Sequence, residues 1–210
     1  PMGIHTITAT FDGGPAFAAS TSPAPKQYVT VDLGSLPRTP SGAYIVRDMP
    51  GALFFGLQRS GAMFSGSFAG ADFTGANLED VDFSDARLDG CNFTRAVLAR
   101  ARLVRASLTD ARLDEANLGG AQCEGANFTA ASFVQTRCSK TIFRSCVLAK
   151  AAFKQADLFE SEWARCDARG SHWEQMAMVK LALEDIAFDD AAFKQVSWVV
   201  SQDPDVVMVG

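Results

Sequence analysis

Residues 71–90 read ADFTG ANLED VDFSD ARLDG, four phrases of five in which a small residue, a polar one and a large apolar one recur in the same order. With Phe73 as the centre of its phrase, steps of five reach an apolar residue at all 28 positions from Met63 to Trp198. In a chain that is 48% apolar, such a run has a chance probability on the order of one in a billion, so it is an internal repeat. Two residues before each centre stands Gly, Ala, Val, Cys, Ser or Thr, from Gly61 through Ser171. Larger residues, Met176, Leu181 and Ile186, enter that position only near the end.

A period of five matches neither a helix nor a strand, so neither element keeps the centres on one face. A chain that turns a corner once in every phrase does. Four phrases then close one square coil, with the centre and the small residue inside and the other three outside. Coils stacked at strand spacing, about seven of them, give a rod ~34 Å long. Because four large centres already fill the narrow lumen, the second inward position takes little beyond Ala, and a bulky residue there overpacks.

Charge supplies an independent check on the coil length. Between residues 61 and 200, twelve pairs of charged residues lie 20 apart, and all twelve are opposite in sign, among them Asp80/Arg100, Asp85/Arg105, Arg95/Glu115 and Glu160/Lys180. Pairs five apart show no such bias: eight are alike and six opposite. Residues 20 apart are therefore expected to be stacked neighbours, where opposite charges help and like charges hurt. Gln135, Gln155, Gln175 and Gln195 share the interval and predict an amide ladder along one edge.

Phrases such as ADFTG, ANLED, ANLGG, ANFTA and ADLFE resemble the pentapeptide repeat family. The resemblance covers about residues 61–200 and implies an all-β fold, the right-handed parallel quadrilateral β-helix (solenoid) of that family. It does not by itself assign a function.

The flanks depart from the pattern. Residues 1–27 read as a mobile segment and linker, with GGPAFAASTSPAPK rich in Gly, Pro and Ser. Residues 28–60 contain two short β-like runs, YVTVDL and AYIVRDM, expected as a hairpin-like cap on the first coil. Gln58 at a centre position sets the expected start of the regular coil near Gly61, and residues 201–210 form a tail, with Val206, Val207, Met208 and Val209, that either folds back over the last coil and its apolar strip or pairs with a second molecule.

No apolar window is long enough to span a membrane, and PMGIHTITAT lacks the regions of a cleaved signal. A cytoplasmic protein is expected, or one exported without a cleaved signal. A net charge of −5 does not point to direct nucleic-acid binding. The five cysteines all fall on inward positions, Cys123 and Cys138 as centres and Cys91, Cys146 and Cys166 as small residues, which reads as reduced core thiols. His5 and His172 have no nucleophile or orienting partner at a recognisable spacing, and no phosphate-cradling loop or nucleophile elbow occurs. No catalytic residue, metal site or cofactor is therefore expected.

Two binding readings follow. In the first, the rod is a rigid, non-enzymatic assembly module within a larger, secretion-related bacterial system. Phe159, Val179 and Val199, each 20 apart and one past a centre, would with Val200 form an apolar surface for a protein partner or for a homodimer through the C-terminal end. The second rests on the resemblance, whose quinolone-resistance members act on DNA gyrase or topoisomerase IV by mimicking DNA; Glu79, Asp80, Asp82, Asp85 and Asp89 would be the acidic end. Against it, Arg95, Arg100, Arg102 and Arg105 follow one coil later and interrupt the acidic stripe.

Overall fold

The structure, a computed structural model, describes residues 38–40, 42, 44–54, 56–58 and 60–199. Among them the chain winds as an all-β parallel solenoid of about eight turns, with no helix. Strands β1 (Ile45–Arg47) and β2 (Met63–Ser65) pair in parallel on one face. Higher up the rod, β4 (Ile142–Arg144), β6 (Glu162–Ala164) and β8 (Ala182–Glu184) stack on one face. On the preceding face β3 (Ser132–Val134), β5 (Ala152–Lys154), β7 (His172–Val179) and β9 (Ala192–Val199) stack in that order. Between these ladders single bridges from one coil to the next, from Ser67–Arg87 to Asp167–Ala187, continue the parallel pairing.

The five-residue period follows from where the backbone N–H groups go. In the phrase Cys91–Arg95, Cys91 N–H closes the corner on Leu88 O (3.1 Å), Asn92 N–H reaches down to Ala71 O (2.9 Å), and Phe93 and Arg95 N–H reach up to Arg112 O (2.7 Å) and Asp114 O (2.9 Å). That leaves Thr94 N–H without a main-chain acceptor, and Asn92 Oδ1 takes it at 3.1 Å. A buried or half-buried N–H needs such a partner, so an Asn or Asp before a centre is a structural part of the repeat. Asp72, Asn77, Asp82, Asn117, Asn127, Asp157 and Asp167 do the same two residues on.

Each corner is made by the residue two past a centre, which takes positive φ, for instance Asp85 at 61° and Arg105 at 55°. With Ala86 N–H bonded to Phe83 O at 3.0 Å this is the sign of a type II turn, whose third residue must enter the left-handed region.

The lumen holds the expected residues. Centres from Phe68 to Trp173 and the small residues between them are buried, with rings of one face stacked, Phe73 on Phe93 at 4.9 Å and Phe153 on Trp173 at 4.2 Å between centroids. Thr136, Thr141, Ser161 and Ser171 occupy the small position and each donates to a main-chain carbonyl within the lumen.

Two details differ from the sequence expectation. Winding begins before Gly61, because β1 already pairs with β2 in parallel and Leu53, Gln58 and Met63 bridge to Asp72, Asn77 and Asp82, each one position short of a full coil. This adds a turn to the seven expected. Since Leu53, Gln58 and Met63 stand 19 residues rather than 20 below their partners, the inward centres of this part are Phe54 and Phe64, whereas Met63 lies outward and half-exposed. The frame is recovered at Gly66, with φ 91°, where a Cβ would overlap the Asp48 carboxylate that accepts from Ser67 N–H at 2.7 Å. Of the expected cap hairpin, the described part is an antiparallel bridge between Arg38 and Tyr44. Residues 1–37, including YVTVDL and the linker, and the tail from Val200 lie outside the described residues.

Candidate functional site

The charged rows assemble largely as their spacing requires. Eight of the twelve pairs 20 apart form ion pairs, including Asp80–Arg100 (2.8 Å), Asp85–Arg105 (2.6 Å), Arg95–Glu115 (2.8 Å) and Glu160–Lys180 (3.5 Å). Where the alignment fails, a nearer partner wins: Arg144 bonds Glu162 on the next coil and Arg169 bonds Asp167 on its own. The amide ladder forms two rungs, Gln135 to Gln155 at 3.1 Å and Gln155 to Gln175 at 3.3 Å.

Every carboxylate of the candidate acidic end has a partner. Glu79 and Asp80 share Arg100, Asp82 meets Arg102 at 3.6 Å, Asp85 takes both arms of Arg105, and Asp89 accepts from Ser107 and from Thr109 N–H at 3.2 Å. Hydrogen bonds from Arg100 and Arg105 hold the Asp80 and Asp85 carboxyls below their ordinary value. The surface there alternates in sign coil by coil and presents no continuous acidic stripe.

The apolar candidate residues lie on the other half of the rod. Phe159 is 38% exposed, with the Lys180 ammonium 5.5 Å from its ring centroid. Val179 is half-buried, and its register partner is Val199. Phe159 and Val179 line a shallow groove of about 320 Å³ together with Gln155, Gln175, Met176 and Ala177. Val200 lies outside the described residues.

Sequence reading missed the extent of this surface. The repeat counts Phe193 and Trp198 as inward centres, but each is 41% exposed, while Leu183 and Phe188 are only partly buried. A centre is buried by the coils on both sides, and among the described residues no coil follows β9. The two rings lie 6.0 Å apart, beside a β9 edge that no described strand covers. The signal available in the sequence was simply that the repeat stops at Trp198.

Three of the core thiols are inert by their surroundings. Burial pushes the Cys91 thiol up to about 12 and those of Cys123 and Cys138 well above the ordinary value. His172 is exposed on β7, and among the described residues no group of three His, Cys, Asp or Glu side chains is placed to hold a metal ion. No helix of the described residues is long and apolar enough to cross a membrane.

A family model for pentapeptide repeats matches eight copies over residues 60–103, 91–122 and 121–158. The chain belongs to the pentapeptide repeat family. Similar solved structures include HetL, a pentapeptide repeat protein involved in heterocyst differentiation regulation from the cyanobacterium Nostoc, at 18% identity over 78% of this chain and 92% of that one, TM-score 0.38. Others are the pentapeptide repeat protein Rfr23 from the cyanobacterium Cyanothece (17%, 71% and 89%, TM-score 0.33) and QnrB1, a plasmid-mediated fluoroquinolone resistance protein (17%, 75% and 94%, TM-score 0.26). No curated protein matches the chain. The pentapeptide repeat explains the lumen, the corners and the ladders.

Proposed function

We propose that this pentapeptide repeat protein is a non-enzymatic, rigid binding module, a component of a larger assembly, and that it engages a protein partner through its C-terminal coils. The observation that carries the reading is the joint exposure of Phe193 and Trp198 beside the β9 edge that no described strand covers. The two short edges of β9, on either side of the corner at Gln195 (φ 54°), offer main-chain donors and acceptors to an added strand, and exposed aromatic rings beside them supply the apolar contact. The groove lined by Phe159, Val179, Gln155 and Gln175 lies on the coils below β9. A second copy meeting the first end to end satisfies both edges at once by twofold symmetry.

Light scattering on the purified chain tests this. A homodimer that Trp198→Glu converts to a folded monomer supports the self-association form. A monomer throughout, whose wild-type form but not whose Trp198→Glu form captures a defined protein, supports a foreign partner. A monomer that captures nothing through this end overturns the reading.

The alternative, a DNA mimic acting on DNA gyrase or topoisomerase IV, would have to use carboxylates already neutralised by Arg100, Arg102 and Arg105. A gyrase supercoiling assay with and without a quinolone addresses it; inhibition or protection at micromolar protein would restore that reading.

A further inference from the structure

We propose that Cys146 and Cys166 form an oxidisable dithiol, which a hydroperoxide converts to a disulfide that staples two successive coils. All five cysteines are buried, but only these two occupy the same inward position on adjacent turns. Cys91 is flanked in its column by Ala71 and Ala111, Cys123 by Leu103 and Phe143, and Cys138 by Leu118 and Leu158.

The register fixes the stacking. Val147 and Asp167 bridge in parallel, and Asp167 N–H donates to Cys146 O at 2.9 Å. In-register neighbours on parallel strands lie ~4.8 Å apart, inside the Cα separation of about 4.4–6.8 Å that a disulfide spans. The two thiols lie close enough for each to influence the ionisation of the other. Each also lies against a carbonyl of the coil wall, Cys146 Sγ at Cys123 O and Cys166 Sγ at Phe143 O, 3.1 Å away in the second case.

The pair is chemically asymmetric. The neighbouring Cys146 thiol and, more weakly, the Arg165 charge hold the Cys166 thiol low, while the Cys166 thiol and burial push Cys146 up. Among the described residues Arg165 forms no ion pair that would neutralise it. Cys166 is therefore the nucleophile and Cys146 the resolving thiol. A single layer of backbone separates them from solvent, so a molecule as small as hydrogen peroxide needs only local opening to arrive.

The Cys166 thiolate attacks one peroxide oxygen, the O–O bond breaks, and the departing hydroxide takes up the thiol's proton as water, leaving a sulfenic acid. Cys146 sulfur then attacks Cys166 sulfur, the S–O bond breaks, and the second hydroxide leaves with the Cys146 proton as water. Two thiols are oxidised by two electrons in all, and one peroxide is reduced to two waters.

The test treats the native chain with hydrogen peroxide, denatures it without reductant, and alkylates with N-ethylmaleimide before intact mass measurement. Three adducts are expected after oxidation in place of five, with a Cys146–Cys166 linked peptide in the tryptic map and reversal by dithiothreitol. Cys146→Ala and Cys166→Ala, which place in this column the residue that Ala106 and Ala126 already supply, should each keep four free thiols and melt as the reduced wild type does. The oxidised wild type should melt higher than the reduced form, a shift that both variants lack. Five adducts after oxidation, a link through any other cysteine, or conversion to sulfinic and sulfonic acids without a disulfide would each overturn the proposal.

Discussion

The indole N–H of Trp163 donates to Ser161 Oγ at 2.9 Å, and that hydroxyl donates onward to Leu158 O at 2.7 Å. The relay repeats one phrase pair later, from Trp173 through Ser171 to Ala168 O. An indole fits the lumen as a large ring, but it brings an N–H that must be satisfied there. Serine is the smallest residue that does so from the inward position two before it. Ser161→Ala should therefore cost about 1–3 kcal/mol, the penalty of an orphaned buried donor. Restoring an apolar ring with Trp163→Phe in the Ser161→Ala background should recover much of that loss. A urea double-mutant cycle with no coupling between the two sites would refute the relay.

The Asn or Asp before a centre makes a second prediction. Asn127 Oδ1 accepts from Thr129 N–H at 3.0 Å and from its hydroxyl at 2.6 Å. Asn127→Ala strands that amide and should lower stability by roughly 1 kcal/mol, while Asn127→Asp keeps the acceptor and should cost much less. Amide exchange of Thr129 provides the local readout, accelerated in the alanine variant and protected in the aspartate one.

How far the sequence discloses this molecule depends on whether a side chain's role repeats. The inward column from Phe68 to Trp173 repeats, and so was legible, as were the ion pairs such as Asp85–Arg105 that reinforce the stacking. Met63 and Phe64 are both apolar, so Met63 looks as good a centre as Phe64 until the backbone pairing of Met63 with Asp82 chooses between them. Ala52 before Phe54 and Ala62 before Phe64, in the shifted frame, were the available sign. The exposure of Phe193 and Trp198 is a property of the end of a stack, and no local pattern encodes it. The Asx role of Asn92 was hidden because an outward polar residue needs no explanation until the N–H groups of its phrase are counted.

The tightness of the lumen yields a third prediction. Ala106 and Leu108 are both buried, the one beside the ring of centres and the other part of it. Ala106→Leu adds volume where neighbouring coils leave none and should cost about 1–3 kcal/mol. Leu108→Ala removes packing and should cost about 2–5 kcal/mol, and Leu108→Arg, which buries a charge with no partner, should prevent cooperative folding. Urea midpoints measure the first two and circular dichroism the third. An Ala106→Leu variant as stable as the wild type would mean that the small position is not sterically set.

The exposed ion-pair rows set how the rod responds to acid. Asp80, Asp85 and Glu115 have carboxyls held below their ordinary values of 3.8, 3.8 and 4.5, in each case first by a hydrogen bond from the arginine one coil away. A carboxyl whose folded pKa is depressed contributes stability above its unfolded value and loses it as pH falls through the folded one. The melting temperature should therefore be level near neutrality and decline as pH drops through and below about 4. Because the pairs are exposed, molar salt should weaken their contribution at neutral pH and flatten the acid limb. Asp80→Asn, Asp85→Asn and Glu115→Gln combined should flatten it in the same way at low salt. An acid limb equally steep in that triple variant would place the acid sensitivity in other carboxylates and remove these three pairs from the account of stability.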